Sequence, residues 1–274
     1  MSEPRDPFYE LFEYLCRHLV SIVYKHEATR KDDVEGRIIG VASGFIMEFN
    51  GYSFLATAGH FMEELEKLKA SRPDRRIVVT IVDSFGQGAI DKTMVPLPYF
   101  DLPRHFEYDD TQGMDFGLIL LPKNTCDLIR ANARIPVTED HWLVEAPTEF
   151  ASYSIFGVLA EGSHEIGDNG LYLRTAQFDL LPVSNPPNQL MRFTQPMRFF
   201  NITNLGDTKT IRGMSGCPII GFGMEWETKG FRYYFLGIQS GWLPESKIIY
   251  ACDLATIAKQ IIASIYEDQE QGES

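Results

Sequence analysis

Arg212-Gly213-Met214-Ser215-Gly216-Cys217-Pro218 lies between two apolar segments, and three of its seven residues are glycine or proline. Gly213 and Gly216 allow a loop tight enough for backbone N–H groups to converge near the Ser215 hydroxyl. Taken alone, such a stretch reads as readily as a turn between strands as it does as a nucleophile loop. What separates the two readings is whether a base and an orienting acid stand upstream in suitable settings.

Two upstream stretches meet that requirement. In Leu55-Ala56-Thr57-Ala58-Gly59-His60 an apolar strand ends at small residues and then a histidine, with helical patterning from Phe61 to Leu65. His60 therefore sits at a strand-to-helix corner, where small neighbours let an imidazole approach other backbone closely. In Gly113-Met114-Asp115-Phe116-Gly117-Leu118-Ile119 an aspartate directly precedes an apolar strand that draws its carboxylate inwards. A buried carboxylate needs hydrogen bonds, and an imidazole N–H is a suitable donor. Each residue alone also has a plain structural reading, as a core histidine and a strand cap. Asp109 and Asp110 are alternative acids, but neither leads directly into the apolar strand.

Around these stretches the patterning is that of short strands. Val41–Phe49 and Tyr52–Thr57 flank the hairpin signal Asn50-Gly51. Further strands are expected at 76–83, 92–97, 116–121, 152–159, 171–181, 191–202, 218–222, 231–240 and 247–251. Residues 98–114 and 161–170 read as loop and polar turn, and 124–132 as a short helix. Phe8, Leu11, Phe12, Leu15 and Leu19 recur at helical spacing behind Asp6 and Pro7, although 19–24 reads equally as strand. Asp253 caps a closing helix with Leu254, Ile257, Ala258, Ile261, Ile262 and Ile265 on one face. About a dozen strands without βαβ alternation favour two antiparallel barrels or sandwiches over a parallel sheet.

At this point the residues resemble the trypsin-like serine peptidases, whose fold is that of chymotrypsin. The family's Thr-Ala-Ala-His-Cys is matched by Thr57-Ala58-Gly59-His60-Phe61, and its Asp-Ile-Ala-Leu-Leu by Asp115-Phe116-Gly117-Leu118-Ile119. Its Gly-Asp-Ser-Gly-Gly-Pro is matched by Gly213-Met214-Ser215-Gly216-Cys217-Pro218. Ser43-Gly44-Phe45-Ile46 is similar to its Gly-Ser-Gly-Phe strand, and Gly237-Ile238-Gln239-Ser240-Gly241-Trp242 to its Gly-Ile-Val-Ser-Trp-Gly strand. The resemblance covers roughly residues 20–252. It implies an all-β fold of two six-stranded antiparallel barrels, 20–125 with His60 and Asp115, and 151–252 with Ser215. A crossover at 126–150 joins them, with a helical extension at 1–19 and a helix and acidic tail at 253–274. An α/β-hydrolase fits less well, because Cys217 breaks G-x-S-x-G, a strand follows the serine, and the acid precedes it by a long way.

The resemblance also implies roles. Ser215 is the expected nucleophile, His60 the base, Asp115 the residue that orients it, and the N–H groups of Gly213 and Ser215 the oxyanion donors. Ser240 is expected to support Asp115, the backbone of Ser240, Gly241 and Trp242 to pair with a peptide substrate, and Lys209 to stand near the floor of the primary pocket. No metal and no cofactor is called for. Met214 replaces the aspartate that in digestive members pairs with a new N-terminus, so activation by that ion pair is not expected. Phe61 replaces a cysteine, which removes a disulfide beside the histidine. Cys217 replaces a glycine, and its Cβ is expected to crowd the oxyanion loop.

A serine endopeptidase is the first reading; a catalytically silent module of the same fold and an esterase are the alternatives. The formal net charge of −13 argues against nucleic acid or an anionic membrane surface as main partner; a protein or peptide substrate is what the resemblance implies. Four cysteines without paired spacing suggest reduced thiols in a cytoplasmic protein. Residues 1–15 lack the pattern of a signal peptide, and no apolar run is long enough to span a bilayer. A cytoplasmic protease without a zymogen signature needs narrow specificity or a regulatory protein partner. The helical ends 7–19 and 253–266 are either docking surfaces for one or packing onto the barrels.

Overall fold

Alternation along each strand sorts its residues between two cores. In β1 (Leu19–His26), Val20, Ile22 and Tyr24 face one core and Leu19 and Val23 another. β3 (Tyr52–Thr57) repeats the split, with Leu55 on the first side and Phe54 and Ala56 on the second. These assignments come from a computed structural model that describes residues 7–26, 38–82, 94–142, 150–166, 170–190, 193–225 and 230–257.

The N-terminal half is one antiparallel sheet. Besides β1 and β3 it contains β2 (Ile38–Phe49), β4 (Ile77–Val82), β5 (Met94–Leu97), β6 (Arg104–Asp109) and β7 (Met114–Leu120), in the order β5-β4-β1-β2-β3-β7-β6. The C-terminal half comprises β8 (Ser152–Ile166), β9 (Gly170–Pro182), β10 (Met197–Ile202), β11 (Pro218–Glu225), β12 (Gly230–Leu243) and β13 (Ile248–Asp253). These close into a barrel in the order β10-β13-β12-β11-β8-β9. If β4 and β5 count as one position, both halves follow the same cyclic order, first-second-third-sixth-fifth-fourth.

The expectation of two six-stranded barrels is thus met once. The first half is a seven-stranded open sheet, because its edge strands β5 and β6 do not pair with each other among the described residues. β5 is four residues long and exposed at alternate positions, and β6 has no buried residue, so neither presents an edge that must be covered.

Among the described residues three apolar clusters hold the halves. One lies inside the curl of the first sheet, one inside the barrel, and the largest lies between the two. Helix α1 (Pro7–Cys16) packs on the junction through Leu11, Phe12, Leu15 and Cys16, with the Phe12 ring 5.7 Å from that of Phe156. The helix stops at Cys16, and Leu19 already belongs to β1, so residues 19–24 are strand. α2 (Gly59–Ser71) follows β3 and α3 (Lys123–Ala131) follows β7. The crossover then returns beside β2, where Val137 N–H donates to the Ile46 carbonyl and Glu48 N–H to that of Val137. At the far end Asp253 caps a helical turn over 254–257 by accepting from Thr256 N–H and Oγ1; the remainder of the expected closing helix lies outside the described residues.

Residues 98–114, expected as loop, contain β6. Residues 161–166, expected as turn, are strand, because β8 and β9 run on past the barrel as a ribbon with a bulge between Leu159 and His164. No helix among the described residues is long and apolar enough to cross a membrane.

Candidate active site

The stretch from Ile211 to Cys217 consists of two successive turns. Met214 N–H donates to the Ile211 carbonyl and Cys217 N–H to that of Met214, and the third residues of these turns, Gly213 and Gly216, have φ of +97° and +87°. A left-handed residue at that position is what a type II turn requires, and only glycine adopts it readily. Space imposes the same choice. A Cβ on Gly216 would lie 2.3 Å from the Ser43 carbonyl oxygen, and one on Gly213 would lie 2.6 Å from Ala160 N.

Both halves clamp the loop. On the barrel side, Gly216 N–H donates to the Gln239 carbonyl and Gln239 N–H to that of Cys217, at 3.0 and 2.8 Å. On the sheet side Ser43 uses every polar group it has. Its N–H donates to Ser215 O (3.1 Å), its hydroxyl donates to Gly213 O (2.9 Å) and accepts from Val158 N–H (2.9 Å), and its carbonyl accepts from Thr57 Oγ1 (2.8 Å). In the sequence Ser43 stands out only as part of a matching strand, with no sign of this clamping role.

Met214 and Cys217 point into the barrel core and are fully buried. Cys217 does not crowd the loop. Its Sγ occupies the space over Gly157, where a Cβ would lie 1.9 Å from it. Burial pushes the Cys217 thiol up to about 12, against smaller opposing effects of hydrogen bonds to Ser43 and Val158. It is therefore a packed apolar group, with neither the exposure nor the thiolate character of a nucleophile.

His60 and Asp115 are joined twice. The Asp115 Oδ2 lies 2.7 Å from His60 Nδ1, and its Oδ1 accepts the His60 backbone N–H at 2.7 Å. Since an ionised carboxylate only accepts, Nδ1 carries the hydrogen and the Nε2 lone pair is left available. This pairing depends on Gly59. A Cβ there would lie 2.1 Å from the Glu107 carbonyl oxygen, so glycine is what lets the first turn of α2 dock onto β6 and β7. Burial pushes the imidazole down in pKa, but the hydrogen bond and charge of Asp115, aided by Glu64 and Glu63, outweigh it and hold His60 above its ordinary value. Asp115 is 3% exposed; burial raises its pKa, and the hydrogen bonds from His60 and Gly59 offset only part of that.

Ser215 and His60 line one cavity of about 810 Å³ between the two halves, together with Gly213 and Arg212. Among the described residues His60 Nε2 and the Ser215 hydroxyl do not hydrogen-bond to each other, and the N–H groups of Gly213 and Ser215 have no acceptor. The Tyr108 ring stands edge-on to the imidazole at 5.8 Å. Asp109 is spent on its own turn, accepting from Thr111 and Gln112, and Asp110 lines a smaller cavity beside His60 without bonding to it.

Ser240 is next to the acid but bonds to its main chain. Its hydroxyl lies 3.2 Å from the Asp115 carbonyl oxygen, 3.0 Å from that of Ile238 and 3.1 Å from Cys252 Sγ. Cys252, given no role from the sequence, accepts from Asp115 N–H at 3.4 Å. Gly241 and Trp242 pair with Tyr250 and Ile249 of β13, and β11 ends opposite Ile238, so the other edge of β12 is unpaired there among the described residues. Trp242 packs against the barrel core. Lys209 is not part of this grouping; it is exposed, and its N–H lies 3.4 Å from the Glu161 carboxylate. Among the described residues no three His, Cys, Asp or Glu side chains are grouped to hold a metal, and the four cysteines are unpaired and buried. No protein-family model and no curated protein matches the chain.

Proposed function

We propose that the chain is a serine endopeptidase of the chymotrypsin type, acting through Ser215, His60 and Asp115. The observation that carries this reading is the double bond from Asp115 to His60 Nδ1 and backbone N–H, with that imidazole facing Ser215 across a cavity. The common strand order of the two halves supports the fold assignment, with the open first sheet taking the place of the first barrel.

In this mechanism His60 Nε2 takes the proton of Ser215 Oγ as the oxygen attacks the scissile carbonyl, and returns it to the leaving amine. Asp115 keeps the imidazole in the required tautomer and offsets its positive charge. The Gly213 and Ser215 N–H groups, which have no acceptor among the described residues, bind the oxyanion. The distance between base and nucleophile closes when substrate is bound, as catalytic hydrogen bonds in unliganded enzymes commonly do. A peptide can add to the unpaired edge of β12 at 240–242, which favours a peptidase over an esterase. Met214 anchors the loop by apolar burial, so no new N-terminus is needed to order it. The unpaired, buried cysteines fit a reducing, cytoplasmic setting.

A fluorophosphonate probe tests the reading at pH 8. Labelling of the wild type that disappears in Ser215→Ala and drops sharply in His60→Ala is expected. Folded wild type that takes up no probe at Ser215 would leave a non-catalytic binding module, the reading that the missing His60–Ser215 bond favours. Peptide and small-ester panels then separate peptidase from esterase.

A further inference from the structure

We infer that the large cavity beside Ser215 receives the leaving half of the substrate, and that Arg212 makes it select an acidic side chain just after the cut bond. This deepens the reading above and rests on it.

Position comes first. His60 stands between two cavities. The smaller, about 230 Å³, is lined by Asp115, Ser240 and Tyr250 on the side of β12 and β13. The larger is lined by Val41 and Ala42 of β2 and by the nucleophile loop, with no residue of β12. A peptide whose acyl half adds to the β12 edge occupies the first side, so the part beyond the scissile bond emerges into the second. The leaving nitrogen must also receive its proton from His60, which faces that second cavity.

Charge comes next. The first-sheet wall carries Tyr24 and Glu64, and the Tyr24 hydroxyl donates to the Glu64 carboxylate. The barrel wall carries Ser163, His164 and Arg212. Among the described residues the Arg212 guanidinium has neither an ion pair nor a hydrogen bond, whereas Arg104, Arg130 and Arg198 each hold a carboxylate. An exposed arginine without a partner is ordinary on a surface. This one lines the cavity and directly precedes Gly213, whose N–H meets the oxyanion in the proposed mechanism. A carboxylate on the residue after the cut bond can meet the guanidinium in a bidentate pair, as planar acids do. A lysine or arginine there is repelled by Arg212, and the carboxylate that could receive it, Glu64, already accepts the Tyr24 hydroxyl, a group on which the Arg212 charge also acts. Because the pair is solvent-accessible, the expected preference for acidic over basic residues is about tenfold rather than a thousandfold.

The test digests a proteome-derived peptide library with the wild type, Arg212→Gln and Arg212→Glu, and reads residues on both sides of each cut by mass spectrometry. Fluorophosphonate uptake at Ser215 is read in parallel, since the probe carries no peptide beyond the reacting centre. Enrichment of Asp and Glu in the first two positions after the cut is expected, lost in Arg212→Gln and turned towards Lys and Arg in Arg212→Glu. In the wild type the enrichment should shrink as salt rises from 0.05 to 0.5 M, a check that does not depend on any variant folding. Wild type that takes up probe and cuts peptides without this enrichment, or an enrichment unchanged in Arg212→Gln, overturns the inference and leaves the peptidase reading standing. Wild type that neither labels nor cuts overturns both.

Discussion

The hydroxyl of Ser43, in β2 of the first sheet, donates to the carbonyl of Gly213, in the Ser215 loop of the barrel, at 2.9 Å. The same oxygen accepts from Val158 N–H, so one side chain joins the sheet, the barrel wall and the loop. Ser43→Ala would leave a buried carbonyl and a buried N–H unpaired, at a cost of about 1–3 kcal/mol. Melting should fall by about 2–4 °C for each kcal/mol in a chain of this size. Because Gly213 is the proposed oxyanion donor, the rate of Ser215 labelling should fall by more than that loss of stability explains. A variant that melts lower but labels at the wild-type rate would show Ser43 to be a packing residue only.

The acid limb of the pH profile should belong to His60. Its pKa is held above the ordinary 6.5, because the bond and charge of Asp115 outweigh burial. A raised value keeps the imidazole protonated to higher pH, so the neutral base forms later and the limb of kcat/KM lies above pH 6.5. In Asp115→Asn that charge is lost, and the limb should move towards acid. The proposed mechanism expects the rate to fall by about four orders of magnitude, because the amide stabilises the wrong tautomer. An Asp115→Asn profile with an unmoved limb would place the titrating group elsewhere.

Much of this arrangement was legible in the chain because burial writes a pattern. Tyr52–Thr57 matched β3 residue for residue, with only Tyr52 exposed, and Asn50-Gly51 marked the hairpin before it. β6 was missed because Arg104–Asp109 lies at a sheet edge with every residue at least partly exposed, so no alternation selects its faces. The outer part of β8 was missed for a related reason, since the ribbon it forms with β9 leaves the barrel and residues 160–164 have no core to face. Motif and order singled out His60 and Asp115, which hydrogen-bond to each other, and Ser215, which lines a cavity with His60. Ser43 and Cys252 were not, because their importance comes from bonds to residues more than 100 positions away, and a linear sequence gives no sign of these. Whether the first sheet closes was equally hidden, since it depends on edge pairing rather than on any local pattern.

Met214 should anchor the loop by its volume. It is fully buried in the barrel core, and truncation to alanine should cost about 2–5 kcal/mol, whereas leucine, close in volume, should cost less than about 1.5. Met214→Asp should be the worst of the three, because it buries a carboxylate with no described cationic partner nearby. Thermal melts of the three variants, with probe labelling at 15 °C, check the order. Equal stability of the alanine and leucine variants would mean that the loop is held by its hydrogen bonds alone.

The strongest test of how the loop is shaped couples Cys217 to Gly157. Where the resembling family has glycine after the Ser-Gly pair, this chain has Cys217, and it has a glycine opposite, whose missing Cβ leaves room for Sγ. Gly157→Ala puts a methyl group where the sulfur lies, within 1.9 Å of it, and 3.2 Å from two Met214 atoms. The loop must then shift, so stability and Ser215 labelling should both drop, stability by about 1–3 kcal/mol. Cys217→Gly alone should open a small cavity and loosen the turn. Combined, the two substitutions exchange small and large across the contact, and the double variant should recover at least about 1 kcal/mol relative to the sum of the single effects. Labelling should recover with it, because the Gly213 and Ser215 N–H groups return to their places. Additive losses would mean that Cys217 and Gly157 do not share one space, and that the replacement of glycine by Cys217 needs no compensation.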